Sequence, residues 1–133
     1  MDLDRLSDDV EVVSRGYARA HGINRDGTWF LLKLQEEVGE LTQAFLMRTG
    51  QARTKGNSPQ ELDEKFGAEL ADVLSHVLLM ARHHDIDLEK EIEQKWLVWH
   101  PDRSGRARSE ANGPQVLCQD AGIQESQTSA RTD

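Results

Sequence analysis

The chain has 133 residues, with 24 acidic against 16 basic side chains and a formal net charge of −8 at pH 7. This balance argues against a surface that binds duplex nucleic acid, because neutralising phosphates requires a basic face. The single cysteine, Cys118, excludes a disulfide within one chain, and no run of about 18 apolar residues predicts a membrane span. The N-terminus lacks the basic and then apolar order of a secretory signal, so we expect a cytoplasmic protein without membrane association.

Apolar residues at spacings of three and four predict two amphipathic helices in the first 50 residues. The first runs from Leu3 to Ala20 and ends near Gly22. The second follows Thr28, which can serve as its N-cap, and frays around Thr49. The apolar stripe of the second helix, which we expect to face the core, consists of Leu31, Leu34, Val38, Leu41 and Phe45.

The segment Ser58-Pro59-Gln60-Glu61 predicts the start of a third helix. Ser58 can cap the helix, Pro59 suits its first position, and Glu61 completes a capping box. The predicted core face of this helix consists of Phe66, Leu70, Val73, Leu74, Val77, Leu78 and Ala81.

A fourth helix is predicted from Leu88 to about Trp99, with Asp87 as its N-cap and Pro101 as its stop. Beyond it large apolar residues almost disappear, which predicts a disordered polar tail over residues 101–133. No segment shows the alternation typical of strands. The predicted fold is therefore an all-α bundle of four to five helices within residues 1–100.

Two acidic pairs stand inside the apolar parts of the second and third helices. Glu37 and Glu40 form the first pair and Glu69 and Asp72 the second, each at a spacing of three, which places both carboxylates on one side of a helix. Each pair lies on a flank of its apolar stripe, and antiparallel packing would bring the two flanks together. Carboxylates beside a packed face cost stability unless a cation compensates them. The pattern therefore predicts a four-carboxylate pocket.

Such a pocket suits Mg²⁺, which prefers oxygen ligands and leaves room for substrate phosphates. Four carboxylates balance the charge of two such ions, which can bridge phosphate oxygens and activate a water. A di-iron bundle would show Glu-x-x-His motifs instead. The predicted chemistry is hydrolysis at phosphorus.

The blocks around these pairs resemble a known family. Three segments are similar, in this order, to motifs of the MazG-like all-α nucleoside triphosphate pyrophosphohydrolases: Leu34-Gln35-Glu36-Glu37-Val38-Gly39-Glu40-Leu41, Glu69-Leu70-Ala71-Asp72-Val73-Leu74 and Ile86-Asp87-Leu88. The resemblance covers about residues 25–98. It implies a helical bundle, completed as a homodimer or homotetramer, that hydrolyses a nucleoside triphosphate to the monophosphate and pyrophosphate with Mg²⁺, or with Mn²⁺ as a substitute. The family's catalytic metal ligands correspond to Glu37, Glu40, Glu69 and Asp72.

The resemblance weakens in the last helix. The family commonly carries a lysine followed four residues later by an asparagine; Lys95 fits, and the resemblance gives it a phosphate, but Trp99 stands at the asparagine position. The choice of substrate therefore stays open among relatives such as dCTP pyrophosphatases, dimeric dUTPases and phosphoribosyl-ATP pyrophosphohydrolases. A non-catalytic, metal-binding helical dimerisation module is the alternative from another class of protein.

Three further side chains are candidates for substrate binding. Lys33 can reach a phosphate or offset the carboxylates, although exposed lysines are common on helices. A base can stack on Trp29, which can equally pack against the first helix. His76, one turn after Asp72, can contact substrate, orient a ligand or be a structural histidine.

Other residues of interest favour structural roles. Glu36 points away from the stripe and is interpreted as solvated, whereas His83 and His84 mark the end of the third helix. Trp96 and Trp99 are typical of a core or subunit-interface edge. The basic residues near the loop after the second helix can meet the β- and γ-phosphates or form a solvated loop; they are Arg48, Arg53 and Lys55.

Overall fold

The structure is a computed structural model that describes residues 2–103. Every regular element in this range is helical, which confirms the all-α prediction. The helices are α1 (Leu3–His21), α2 (Gly27–Arg48), α3 (Pro59–His83) and α4 (Leu88–Lys95), followed by 3₁₀ turns at Leu97–Trp99 and Pro101–Arg103. Over residues 2–103, no helix combines the length and apolar character that crossing a membrane requires.

The chain divides after Glu91 into two units. The first contains α1, α2, α3 and the start of α4, and the second begins at Ile92 with the end of α4. The two predicted acidic pairs on α2 and α3 both belong to the first unit. The predicted boundary at residue 100 remains a prediction, and the predicted tail from residue 104 onward lies outside the described residues.

Local capping signals set several helix ends where the sequence predicts them. Gly22 ends α1 in the left-handed conformation, at φ 63°. The Ser58 N–H donates to Glu61 Oε2 at 2.7 Å, and the Glu61 N–H donates to Ser58 Oγ at 3.2 Å. Asp87 Oδ1 accepts a hydrogen bond from the Lys90 N–H at 3.0 Å. These three signals act within one turn of the chain, and all three are confirmed.

Two predicted ends are wrong. The N-cap of α2 is Asp26, whose Oδ1 accepts from the Trp29 N–H at 2.8 Å, so that Thr28 lies inside the first turn. Both residue types cap helices, and the earlier one gives α2 additional backbone hydrogen bonds. α4 ends at Lys95 instead of near Trp99. The aromatic and β-branched residues that follow have low helix propensity, and Pro101 disfavours helical conformation just before it.

Substitutions at the caps will distinguish the true start of α2 from the predicted one. Ser58→Ala and Asp26→Ala are each expected to lower the free energy of unfolding by about 1 kcal/mol, because each leaves a helix N–H without its acceptor. Thr28→Ala is the matched control and is expected to change it little. Urea denaturation checks all three variants, and an equal loss for Thr28→Ala would contradict the assigned cap.

The hydrophobic core lies between α2 and α3, which run antiparallel, and α1 packs against α3. At one end the ring of Phe30 on α2 lies 4.7 Å from that of His83 on α3, and at the other the rings of Phe45 and Phe66 are 6.1 Å apart. This pairing of early α2 with late α3 shows the antiparallel arrangement. The buried apolar side chains of the described range are Ala18, Phe30, Ala44, Met47, Leu62, Leu78, Leu79 and Ala81.

Parts of the predicted core faces of α2 and α3 are exposed, which corrects that prediction. Apolar residues cover more of the α2 circumference than one neighbouring helix can bury. α3 packs on the edge of α2 that carries Phe30, Ala44 and Met47. Apolar periodicity alone does not predict which edge of the stripe is buried. The exposed members of the predicted faces, named here the outer stripes, are Leu31, Val38 and Phe45 on α2 and Leu70 and Leu74 on α3.

Candidate metal centre

The antiparallel packing of α2 and α3 brings three of the four predicted ligands together. One carboxylate oxygen from each of Glu37, Glu40 and Glu69 can be chosen so that all three lie within 4.8 Å of one another. Glu69 is buried, with 8 % of its surface exposed, and the Glu37 side chain is 12 % exposed, whereas Glu40 faces solvent. The cluster therefore has two shielded carboxylates and one on its open side.

The buried carboxylate of this cluster lacks a compensating partner. Glu69 Oε2 is buried and has no hydrogen-bond partner among the described residues. Burial raises the pKa of Glu69, and the charges of Glu40 and Asp72 raise it further. An unpaired buried oxygen is costly, and a hard divalent cation is the partner that such an oxygen-rich set accepts. The three carboxylates thus fit a metal ion by their chemistry.

Asp72 is exposed and occupies a different position from the three-carboxylate cluster. Together with Glu37 it lines a neighbouring cavity of about 540 Å³ that α1, α2 and α3 enclose. Its charge still contributes to raising the pKa of Glu69. The sequence thus predicted Asp72 as a fourth ligand, and the structure places it on the cavity lining, outside the three-carboxylate cluster.

Lys33 is engaged with carboxylates on its own helix. Its Nζ lies 2.8 Å from Glu36 Oε2 and 3.4 Å from Glu37 Oε1. The hydrogen bond to Glu36 raises the pKa of Lys33, while the lysine lowers the pKa of Glu36, which is the exposed partner. Lys33 also lines the 540 Å³ cavity. Of its two predicted roles, the offset of carboxylate charge is thus visible directly in the geometry.

His76 and Trp29 lie side by side on the same cavity wall. Their ring centres are 6.3 Å apart, and both residues are half-buried. His76 Nε2 stands 3.6 Å from Glu37 Oε1, and its Nδ1 is buried without a hydrogen-bond partner in the described part of the chain. Burial lowers the pKa of His76, against the opposing effect of the Glu37 charge.

The remaining wall of the cavity comes from α1. Val10, Val13 and Tyr17 supply apolar and aromatic surface, and Asp9 and Ser14 supply polar groups. With Trp29 opposite them, these side chains give the cavity a mixed aromatic and polar lining beside the carboxylates. The sequence pattern did not single out any of these α1 residues as part of a site.

Other predicted site residues have different places. Lys95 is the last residue of α4, beyond the unit that holds the carboxylates, so its contact with phosphate stays a prediction. Arg48 pairs with Asp63 and lies over the Phe66 ring at 5.3 Å, which ties α2 to α3. Arg53 and Lys55 are exposed, as expected of a solvated loop, and His83 and His84 stand at the end of α3, as the sequence predicts.

The sequence analysis did not predict a buried ion-pair network on α1. Glu11 on α1 is 8 % exposed, and its carboxylate accepts hydrogen bonds from Arg15 at 2.6 Å and from Arg25 at 2.8 and 3.0 Å. Arg25 also donates to Ser14 Oγ at 3.0 Å. The spacing of Glu11 and Arg15 on one helix was visible, but Arg25 reaches them from the turn before α2 and carries no local signal.

No protein-family model matches this sequence, and no curated protein or solved structure is significantly similar to it. The resemblance to the MazG-like family remains a hypothesis that rests on the motifs around the two acidic pairs.

Proposed function

We propose that this protein is a Mg²⁺-dependent pyrophosphohydrolase that converts a nucleoside triphosphate, canonical or modified, to the nucleoside monophosphate and pyrophosphate. One observation carries the proposal. Glu69, which has a buried oxygen without a hydrogen-bond partner among the described residues, belongs to a three-carboxylate cluster, and Glu37 of that cluster also lines a cavity of about 540 Å³. Metal-assisted phosphate chemistry needs a group of carboxylates that can bind a cation and, next to it, a cavity large enough for a small-molecule substrate.

The metal would be held by Glu37, Glu40 and Glu69, while Asp72 stands outside this cluster on the lining of the cavity. When bound, Mg²⁺ or Mn²⁺ supplies positive charge that offsets the phosphate oxygens and makes water a stronger nucleophile. The burial of Glu37 and Glu69 limits competition from solvent, while the exposure of Glu40 leaves a side open for substrate.

The nucleoside would occupy the cavity. Its volume falls within the range of about 300–1,000 Å³ that small-molecule sites use, and Trp29 offers a half-buried aromatic face for a base. His76, beside Trp29, has ring nitrogens that can form a hydrogen bond to the substrate. Lys33 holds positive charge at the cavity wall next to Glu37. The contact of Lys95 with a phosphate stays an expectation from the family resemblance.

In the proposed reaction the oxygen of a water attacks the α-phosphorus. A new P–O bond forms there, the bond from the α-phosphorus to the bridging oxygen breaks, and pyrophosphate leaves with the electron pair. A carboxylate takes the proton of the water. Asp72 is the carboxylate proposed for this step, because it lines the cavity outside the three-carboxylate cluster, whereas Glu36 is held by Lys33.

Pyrophosphate release from a panel of nucleoside triphosphates tests the proposal. We expect turnover with Mg²⁺, retained turnover with Mn²⁺ and none with EDTA, and the panel identifies the base and sugar. Phosphoribosyl-ATP is included as a separate arm, and its exclusive hydrolysis would favour the biosynthetic relative. Metal binding without turnover of any substrate would support a non-catalytic module and overturn the proposed activity.

The outer stripes support a homo-oligomer as part of the same proposal. Leu31, Val38, Phe45, Leu70 and Leu74 are exposed in the single chain, and they flank the acidic residues in sequence. Exposed apolar groups arranged in lines along two helices are typical of an interface rather than of a solvated surface. A second copy packed on these stripes would shield them and cover the open side of the cluster.

Sedimentation analysis of stripe variants tests the oligomer. The double variant Leu31→Gln/Leu74→Gln is expected to shift the protein from dimer or tetramer to monomer, because it removes two exposed leucines from the stripes. The control is Leu32→Gln/Val12→Gln, two apolar residues outside the stripes that are more exposed than Leu31 and Leu74. A monomeric wild type, or equal dissociation of both double variants, would contradict an interface at the stripes.

A further inference from the structure

A second, smaller cavity has a basic lining that the proposed reaction does not use. It measures about 230 Å³ and is lined by Arg15, Arg25, Arg82 and His83 together with Glu11. The residues come from α1, from the turn before α2 and from the end of α3. In a chain with a formal charge of −8, three arginines at one cavity are an unusual local concentration of positive charge.

The carboxylate in this cavity holds the arginines in place. Both oxygens of Glu11 accept hydrogen bonds from guanidinium groups, Oε1 from Arg15 and Arg25 and Oε2 from Arg25. Arg25 is itself mostly buried, with 14 % of its side chain exposed. Because its oxygens are already occupied, Glu11 fixes the guanidinium groups in one arrangement and offers few free acceptors to a ligand.

Two arginines of the cavity, Arg15 and Arg82, carry exposed N–H groups that form no hydrogen bond within the described chain. Arg15 uses only Nε and Arg82 only Nη1 in the hydrogen bonds of the described chain, and their side chains are 63 % and 43 % exposed. When Asp8, the partner of Arg82, is counted, three guanidinium groups face two carboxylates, which leaves a positive excess. Several unused N–H donors and a positive excess are the features that recognise an oxyanion.

We propose that this basic cavity is a second binding site, separate from the metal centre, for a phosphate-class oxyanion such as inorganic phosphate, pyrophosphate or the phosphate of a nucleotide. Arg15 and Arg82 would bind the anion, and Glu11 would position Arg15 and Arg25. Arg25, which lines the basic cavity, donates a hydrogen bond to Ser14, and Ser14 lines the larger cavity. The site does not depend on the proposed catalytic activity.

Titration calorimetry in EDTA tests the site apart from the metal centre, since the acidic cluster has no reason to bind anions without a cation. Inorganic phosphate, pyrophosphate and a nucleoside monophosphate are titrated separately at constant ionic strength. Pyrophosphate is expected to bind more tightly than phosphate, because it can engage more donors. Equal affinity for pyrophosphate and the nucleoside monophosphate would identify a terminal phosphate group as the ligand.

Matched charge variants assign the binding to the cavity. Arg15→Gln/Arg82→Gln is expected to weaken pyrophosphate binding by about tenfold or more, because both proposed ligands are lost. Arg5→Gln/Arg19→Gln removes the same charge from exposed positions of α1 and is expected to leave the affinity within about twofold. Circular dichroism confirms the fold, and the single variants, each expected to lose about threefold, replace the double variant if it does not fold.

Two results would overturn the proposal. One is the absence of any heat of binding for all three anions with the wild-type protein. The other is an equal loss of affinity in both double variants, which would mean general attraction to positive charge and not a defined site. Because no metal and no turnover enter this experiment, its failure is distinguishable from failure of the proposed pyrophosphohydrolase activity.

Discussion

The Glu69→Gln variant is expected to lose pyrophosphate release by more than about 100-fold and to melt at a higher temperature than the wild type when no metal is present. Substitutions of groups that merely support metal ligands already cost about 10- to 100-fold, so loss of a ligand costs more. The gain in apo stability has a separate cause. Glu69 is buried, and its neighbours Glu40 and Asp72 repel its charge, whereas glutamine carries no charge.

The wild type and the variant should also differ in their response to Mg²⁺. An ion that binds the folded state raises the melting temperature of the wild type, and this rise should disappear in Glu69→Gln. Glu64→Gln is the matched control, since Glu64 is an exposed carboxylate of the same helix that bonds Gln60. Scanning calorimetry with Mg²⁺ or EDTA provides the readout. An equal Mg²⁺ response in all three proteins would contradict a metal centre at Glu69.

The Glu11→Ala variant is expected to be less stable than the wild type by on the order of 3–5 kcal/mol at pH 7. Removing one partner of a buried ion pair leaves the other charged and unpaired, and Arg25 is 14 % exposed. The same change releases Arg15. Asp9→Ala on the same helix is the control, because Asp9 is exposed and forms no ion pair within the described residues. Urea denaturation at pH 7 measures both variants.

The ion pair also predicts a pH dependence with a definite sign. The hydrogen bond from Arg25, with that from Arg15, lowers the pKa of Glu11 from its usual 4.5 to about 2, although burial opposes the shift. Because the folded-state pKa lies below the unfolded one, the pair contributes its full stability above about pH 4.5 and loses it as the pH falls towards 2. The stability difference between wild type and Glu11→Ala should therefore narrow between these pH values. A constant difference would contradict the pairing.

Helix ends were predicted from the sequence where the signal lies within one turn. The capping box of Ser58 and Glu61, the left-handed Gly22 and the cap at Asp87 each depend on residues a few positions apart. The start of α2 was misplaced because Asp26 and Thr28 are both good caps, and only the finished helix selects between them. Local hydrogen bonds are thus readable in a sequence when a single candidate is present.

The face that each helix buries was predicted less well. An apolar periodicity gives the width of a stripe, but the position of the neighbouring helix decides which edge of the stripe becomes core. On α2 the buried edge carries Phe30 and Met47, whereas Val38 and Phe45 stay exposed. The spacing of Glu37 and Glu40 did predict their common side of α2, and Glu69 joins them from α3, whereas its own partner Asp72 lies outside the cluster.

The Glu11–Arg25 pair marks the limit of such reasoning. The two residues are separated by 14 positions and meet only because α1 ends at Gly22 and the chain turns back. A glutamate on a polar helix position and an arginine in a turn each look solvated by themselves. Their burial is a property of tertiary packing, and no periodic pattern encodes it.

The same pair has a consequence for the large cavity. Arg25, held by Glu11 on α1, immediately precedes Asp26, and Asp26 caps the helix through the N–H of Trp29. The Glu11–Arg25 ion pair and the Asp26 cap therefore constrain the backbone of Trp29, the residue proposed to stack on a base. The segment therefore loses its conformational entropy when the protein folds and not when a ligand binds. This preorganisation of the cavity wall lowers the entropic cost of binding a ligand there.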